Sequence, residues 1–222
     1  VLLIITAVSA MAATLQCAGG LDLLVAVAEK ILRSHPDRIT IMAPIVTFVF
    51  TMFTGTSYVA MAVYPVISEV ALEANIRVER PMSIAMVASQ HGISASPVSA
   101  STAALLGVLA VHGVTLGQIM AGAIPAIFVG CMLGALSVYR RGCELADDPE
   151  FQRRLASGEL THEANRPAYV PTREAKLSVT IFGIAVFLIV LLGSFKSLMP
   201  SWQVNGKLVT LSIPHAIEMI AF

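Results

Sequence analysis

Charge is what this sequence has least of. Only 13% of its 222 residues are Asp, Glu, Lys or Arg, against about 25% in ordinary soluble domains. A soluble domain of this size needs a polar shell, and 14 basic and 14 acidic residues gathered into short blocks do not supply one. There is no basic face, so nucleic acid is excluded as a partner. The net charge of zero says nothing about other partners. Cysteine is equally sparse: Cys17, Cys131 and Cys143 have no metal-ligand spacing and read as small apolar packing residues. No cofactor and no bound metal is expected.

What the chain does have is uncharged length. Residues 1–21, 39–68, 81–139 and 177–195 carry no Asp, Glu, Lys or Arg. Runs of about 20 mostly apolar residues are membrane spans by length. The expected class is an all-α integral membrane protein, multi-spanning, with the lipid bilayer as its solvent and residues 1–222 forming a single membrane domain. Val1 opens inside an apolar run and Phe222 closes just after a new one has begun, so the chain is expected to be a piece of a longer protein, its first segment a span rather than a cleaved signal.

The order of segments follows from the breaks. Residues 1–38 give a first span, interrupted at Gly19-Gly20, and a short amphipathic helix over 21–33 that ends at His35-Pro36. The run 39–68 is 30 residues long. One straight helix of that length would measure about 45 Å, against a hydrocarbon core of about 30 Å. Its middle reads Phe53-Thr54-Gly55-Thr56-Ser57, small and polar. Two short halves with a tip at Thr54 to Ser57 make a re-entrant hairpin over 39–73. Charge supports this: with the hairpin, 12 basic residues fall on one side and Lys196 and Lys207 on the other, whereas a single crossing gives 9 against 5. The positive-inside rule then places the basic loops in the cytoplasm.

The segment 81–111 repeats the pattern. It reads as one span broken near Ile93 to Ser99, because Pro97 removes a backbone donor and clashes with the preceding turn. Residues 116–139 return to the cytoplasm. Residues 140–176 form a mixed-charge connector, with a short surface helix after Asp147-Asp148-Pro149. Residues 177–222 cross outward and begin the next segment, with Trp202 at the interface.

The two breaks are the chemical features. Irregular backbone at membrane depth is tolerated where it lines a cavity or is buried in protein. The start of a half-helix carries unpaired N–H groups and partial positive charge, so it suits an anion, and two of them suit a divalent one. The candidate binding residues are Thr54, Gly55, Thr56 and Ser57 at the tip, and Gln90, Ser94, Ser96, Pro97 and Ser99 around the break. The plainer alternative stands beside each: these hydroxyls back-bond to their own helices or join helices together. His91 is either functional, as a lone membrane histidine often is, or packed and neutral. His91 with Ser94 does not make a hydrolytic site, since no acid orients the ring, and no enzyme is expected.

Several segments carry a family likeness. They are Cys17-Ala18-Gly19-Gly20-Leu21-Asp22, Ile41-Met42-Ala43-Pro44-Ile45-Val46-Thr47, Phe53-Thr54-Gly55-Thr56, Tyr64-Pro65-Val66-Ile67-Ser68-Glu69, Arg80-Pro81-Met82-Ser83 and Ala95-Ser96-Pro97-Val98-Ser99-Ala100, with Asp147-Asp148-Pro149 and Arg153-Arg154-Leu155 in the connector. In order and spacing, over about residues 1–200, they resemble the anaerobic C4-dicarboxylate transporter family of the ion-transporter superfamily. The resemblance implies a secondary carrier for uptake, efflux or exchange of fumarate, succinate and malate across the bacterial inner membrane. It implies an inverted repeat with a re-entrant hairpin and a broken helix, a coupling proton or sodium ion, and a homodimer. Two positions depart from the family pattern: Ser57-Tyr58 replaces Gly-Asn after the tip, removing an amide donor, and Gln90-His91-Gly92 replaces Gln-Ile-Ala before the break. A carrier of another anion, citrate or an inorganic oxyanion, is the same-architecture alternative, and a non-transporting membrane scaffold is the alternative of a different class.

Overall fold

The computed structural model describes residues 2–157, 170–195, 201–204 and 207–210. The helices are α1 (Leu2–Cys17), α2 (Gly20–Ser34), α3 (Ile39–Thr54), α4 (Tyr58–Glu73), α5 (Glu79–Ser94), α6 (Ala100–Leu109), α7 (Leu116–Val138), α8 (Pro149–Ala156) and α9 (Arg173–Ser194). Among the described residues, three helical stretches are long and apolar enough to cross a membrane, Pro36–Thr54, Leu116–Val138 and Arg173–Ser194. A fourth span arises if Ser9–Cys17 and Gly20–Ser34 are taken together across their 75° bend.

Local chemistry sets the boundaries. Gly19 takes a left-handed conformation (φ 74°) between α1 and α2. In α2 the buried residues Gly20, Leu24, Ala28 and Leu32 recur every fourth position, one face of a helix. Asp22, Glu29, Lys30 and Arg33 lie off that stripe. α7 opens on a capping box in which the Thr115 hydroxyl accepts the Gln118 N–H and the Gln118 side chain accepts the Thr115 N–H. α9 opens on Thr172, which accepts the Ala175 N–H, and α8 on Asp148 followed by Pro149.

The path of α3 and α4 matters most. Arg33, just before α3, pairs with Glu69 and Glu73 near the end of α4, each at 3.0 Å. The chain therefore runs out along α3, turns at Gly55, and comes back along α4 to the level where it started. Each helix has 16 residues, about 24 Å at 1.5 Å per residue. α5 then packs on α3 in the most extensive helix pair of the structure. Gly92 is what lets them approach: a Cβ there would collide with Thr51 Oγ1 and stand 2.8 Å from the Phe48 carbonyl oxygen. The core runs between these helices, α2 and α9, with Leu32, Ile39, Val63, Ile67 and Ile189 almost wholly buried.

At the end where Arg33 sits, the loop after α7 is pinned to the start of α5. Buried Arg80 donates to the carbonyls of Arg141 (2.7 Å) and Gly142 (3.0 Å) and to Glu144 (3.0 Å). Arg77 pairs with Asp148 at 3.0 Å and with Glu79 at 3.1 Å.

The far end of the chain departs from an all-helical expectation. Ser201–Val204 and Lys207–Thr210 form two antiparallel strands, β1 and β2, with Val204 opposite Lys207. The residues between them are Asn205 and Gly206, the pair that two-residue hairpin loops favour, a signal the hydropathy of this region conceals. The interfacial role expected of Trp202 concerns a side chain outside the described residues, as do residues 158–169 of the connector and everything after 210.

Candidate functional site

The two interruptions meet. α3 ends when Gly55 turns left-handed (φ 69°), its N–H donating to the Thr51 carbonyl at 2.8 Å. α5 ends at Ser94, and residues 95–99 are non-helical before α6 begins at Ala100. A Cβ at Gly55 would stand 3.1 Å from Val98 Cγ2, 3.2 Å from Ser96 Oγ and 3.3 Å from the Val98 carbonyl carbon. The turn after α3 therefore rests directly on the break after α5, and a side chain at Gly55 would be strained at φ 69° and crowd that contact.

The named hydroxyls divide into two groups. Thr54 is buried, and its hydroxyl serves the tip's own backbone, 2.9 Å from the Phe50 carbonyl and 3.2 Å from that of Thr56. Ser96 is buried and accepts the Val98 N–H at 3.3 Å. Ser99 is buried and accepts the Thr102 N–H at 3.2 Å, with the Thr102 hydroxyl 3.0 Å and the Ser101 hydroxyl 2.9 Å away. These three hold the shape of the breaks. Thr56 and Ser57 are half-buried, and Gln90 and Ser94 are exposed one helical turn apart on one face of α5. None of the described hydrogen bonds engages the side chains of these four. Pro97 is half-buried in the break.

Backbone donors complete the arrangement. α4 starts at Tyr58 with no side-chain cap from Ser57, and its first intrahelical bond is made by the Met61 N–H. The N–H groups of Tyr58, Val59 and Ala60 thus have no partner within the helix. At α6 the Ser99 cap engages Thr102 and the Ala103 N–H reaches the Ser99 carbonyl, which leaves those of Ala100 and Ser101. Both helix starts lie within three residues of the Gly55–Val98 contact. No Lys, Arg, Asp or Glu lies between 39 and 68 or between 81 and 139, so the residues of the two interruptions themselves offer an anion dipoles and hydroxyls.

Sequence reasoning passes over the residues that press the two interruptions together. The Tyr64 hydroxyl lies 2.7 Å from Ser89 Oγ, tying α4 to α5, and Thr47 reaches the Ala85 carbonyl at 3.2 Å, tying α3 to α5. The signal is present in Ala85, Ala88, Ser89 and Gly92, a stripe of small residues of the kind that lets membrane helices approach closely.

A family model described as "Anaerobic c4-dicarboxylate membrane transporter" matches residues 1–222. The C4-dicarboxylate transporter DcuA of Wolinella succinogenes is 44% identical over 190 residues, covering 86% of this chain and 44% of that protein. The DcuA of Helicobacter pylori is 39% identical over 182 residues, 82% of this chain and 41% of the relative. The anaerobic C4-dicarboxylate transporter DcuB of Escherichia coli is 36% identical over 229 residues, 99% of this chain and 50% of the relative. The chain spans about half the length of the curated relatives it matches. No solved structure matches it.

Proposed function

The chain belongs to the anaerobic C4-dicarboxylate membrane transporter family, a family of multi-pass membrane proteins, and from that premise we propose that the full-length protein is a secondary carrier of C4-dicarboxylates such as fumarate, succinate and malate across the bacterial inner membrane. Thr56, Ser57, Gln90 and Ser94 supply side-chain donors in this half of the site. Thr54, Gly55, Ser96, Pro97 and Ser99 set the backbone that presents the helix starts of α4 and α6. A coupling proton or sodium ion and a homodimer belong to the same proposal.

One observation carries the reading: Gly55 seated against Ser96 and Val98. It brings two uncapped or half-capped helix starts to one place, and a substrate with two carboxylates has one for each. The lack of a fixed cation keeps the anion releasable. In this reading 39–73 is a re-entrant hairpin, since α4, about 24 Å long, falls short of a core of about 30 Å and returns the chain to the level of Arg33, and 81–111 is one span with α5 and α6 as its halves.

Full-length protein in liposomes should take up labelled fumarate or succinate, with competition by malate. A folded protein that moves no dicarboxylate under inward or outward gradients would refute the assignment. Cysteines placed at 54–57 test the hairpin separately: free labelling from the periplasm, as in an ordinary loop, would put the tip outside the membrane.

A further inference from the structure

Away from the two interruptions, two adjoining hollows run along the seam between α5 and α7. At the basic end, a cavity of about 650 Å³ is lined by Arg77, Arg80, Ser83, Val138, Arg141 and Gly142 among others. Further along, a groove of about 400 Å³ is lined by Ile84, Val87, Ile127, Gly130 and Gly134 among others, with His91 at its far end. The two hollows share walls: Ser83 and Ile84 are consecutive on α5, and Gly134 and Val138 stand one turn apart on α7. Buried Ile84 makes the floor, since a Cβ at Gly134 would stand 2.8 Å from its Cδ1. At Gly130 a Cβ would meet nothing within 4 Å, so the channel is open there.

Length and charge describe the occupant. From Gly134 to Ala126, which also lines it, the groove runs about 12 Å along α7, within one leaflet of a hydrocarbon core about 30 Å thick. Tyr139, exposed just past α7, sits where interfacial tyrosines are found, at headgroup level. The charges at this level are unevenly spent. Arg80 is held by Glu144, and Arg77 by Asp148 and Glu79. Arg141 and its neighbour Arg140 are exposed, and none of the described ion pairs engages either guanidinium. An uncommitted guanidinium fits a phosphate with two parallel N–H bonds. A second copy docked by this same face would bring Arg140 and Arg141 against their own counterparts. A water-soluble anion would have no use for the apolar groove.

We propose that the α5–α7 seam is a binding site for an anionic phospholipid, with the phosphate at Arg141 and one acyl chain laid along Ile84, Val87, Ile127 and Gly130. Basic pockets between membrane helices take such headgroups, and here the pocket leads directly into an apolar channel of one leaflet's depth. The site is separate from the Gly55–Val98 contact and does not depend on what the protein carries.

The test gives full-length protein in detergent equal amounts of phosphatidylglycerol and phosphatidylcholine and reads the retained lipid by native mass spectrometry. The wild type should prefer phosphatidylglycerol by about fivefold, the ratio that about 1 kcal/mol for one arginine beside an anionic lipid gives. Arg141→Gln should lose that preference, and Gly130→Leu, which fills the channel, should retain less of both lipids. Arg153→Gln, the same change of charge on α8 outside the cavity, should behave as wild type. No preference in the wild type, or an undiminished one in Arg141→Gln, overturns the proposal. So does displacement of the lipid by inorganic phosphate alone, which would mark a site for a free anion. A lower thermal midpoint in Gly130→Leu with lipid retention unchanged also overturns it, since the groove would then be covered by protein. Should Gly130→Leu fail to fold, Arg141→Gln decides. The readout is lipid and not flux, so failure here leaves the carrier assignment standing, and a protein that moves no dicarboxylate leaves the lipid site standing.

Discussion

Replacing Gly55 by alanine tests the seat between tip and break. The residue sits at φ 69°, where an L side chain costs about 1–2 kcal/mol. The new Cβ would also stand 3.1 Å from Val98 Cγ2 and 3.3 Å from the Val98 carbonyl carbon. The methyl can turn away, but the backbone carbon can move only with the whole break, and such overpacking costs about 1–3 kcal/mol. The sum is about 2–5 kcal/mol against the docked tip. At 1.4 kcal/mol per tenfold, kcat/KM for fumarate should fall by at least about 30-fold in liposomes containing full-length protein. Gly122→Ala on α7 is the control, because a Cβ there meets nothing within 4 Å. The thermal midpoint in detergent separates loss of the site from loss of the fold. Gly55→Ala transporting within about threefold of wild type, and of Gly122→Ala, would show that the tip does not depend on this seat.

Other outcomes follow from the same geometry. Thr56→Ala and Ser94→Ala should each lower dicarboxylate affinity with no change in thermal midpoint, by roughly the 1.5–3 kcal/mol of a hydrogen bond to a charged group, read as KM in the same assay. Ser96→Ala should lower both, since its hydroxyl also holds the Val98 N–H. Arg80→Met should reduce stability by about 3 kcal/mol, near 1 kcal/mol for each hydrogen bond lost to Arg141, Gly142 and Glu144, seen as a lower thermal midpoint. Neutralising Arg153 and Arg154, which pair only with Glu150 along α8 among the described ion pairs, should leave substrate affinity unchanged. The Asp148 carboxyl is held below its ordinary value by the Phe151 N–H, then by the Glu150 N–H and Arg77. A depressed carboxyl stabilises above its unfolded pKa and loses that contribution as pH falls through the folded value. Hydrogen exchange in α8 should therefore accelerate on acidification below about pH 4, and Asp148→Asn should flatten that dependence.

Much of this arrangement can be read from the amino acids, and the rest is hidden for identifiable reasons. Length alone shows that 39–68 and 81–110 cannot be simple helices, and the small polar clusters show where they open, because Gly55 admits a left-handed turn and Pro97 removes a backbone donor. Which hydroxyls remain available is not legible. Thr54, Ser96 and Ser99 look the same as Thr56 and Ser94 on paper, and only the three-dimensional path of the backbone decides that the first set is spent on it. Arg80 looks like one more loop cation of the positive-inside count, yet it is buried and clamps a loop about 60 residues away, a pairing no local pattern encodes. The β1–β2 pair is legible in Asn205-Gly206 but lies in a run whose apolar content suggests another membrane segment.

The close approach at Gly92 has a mechanical consequence. Sliding one helix along its neighbour requires side chains that can ratchet past each other, and here the backbone of α5 lies directly on Thr51 and Phe48 of α3, with Thr47 bonded across to Ala85. α3 carries the tip and α5 the break. The pair behaves as one stiff beam with both half-sites at the same end. If the proposed carrier re-orients these half-sites, the whole beam has to move against α7 and α9, and the contacts that would have to give are the edge-on pairs Phe48–Phe128 and Phe53–Phe182 and the close approach of Gly134 to Ile84.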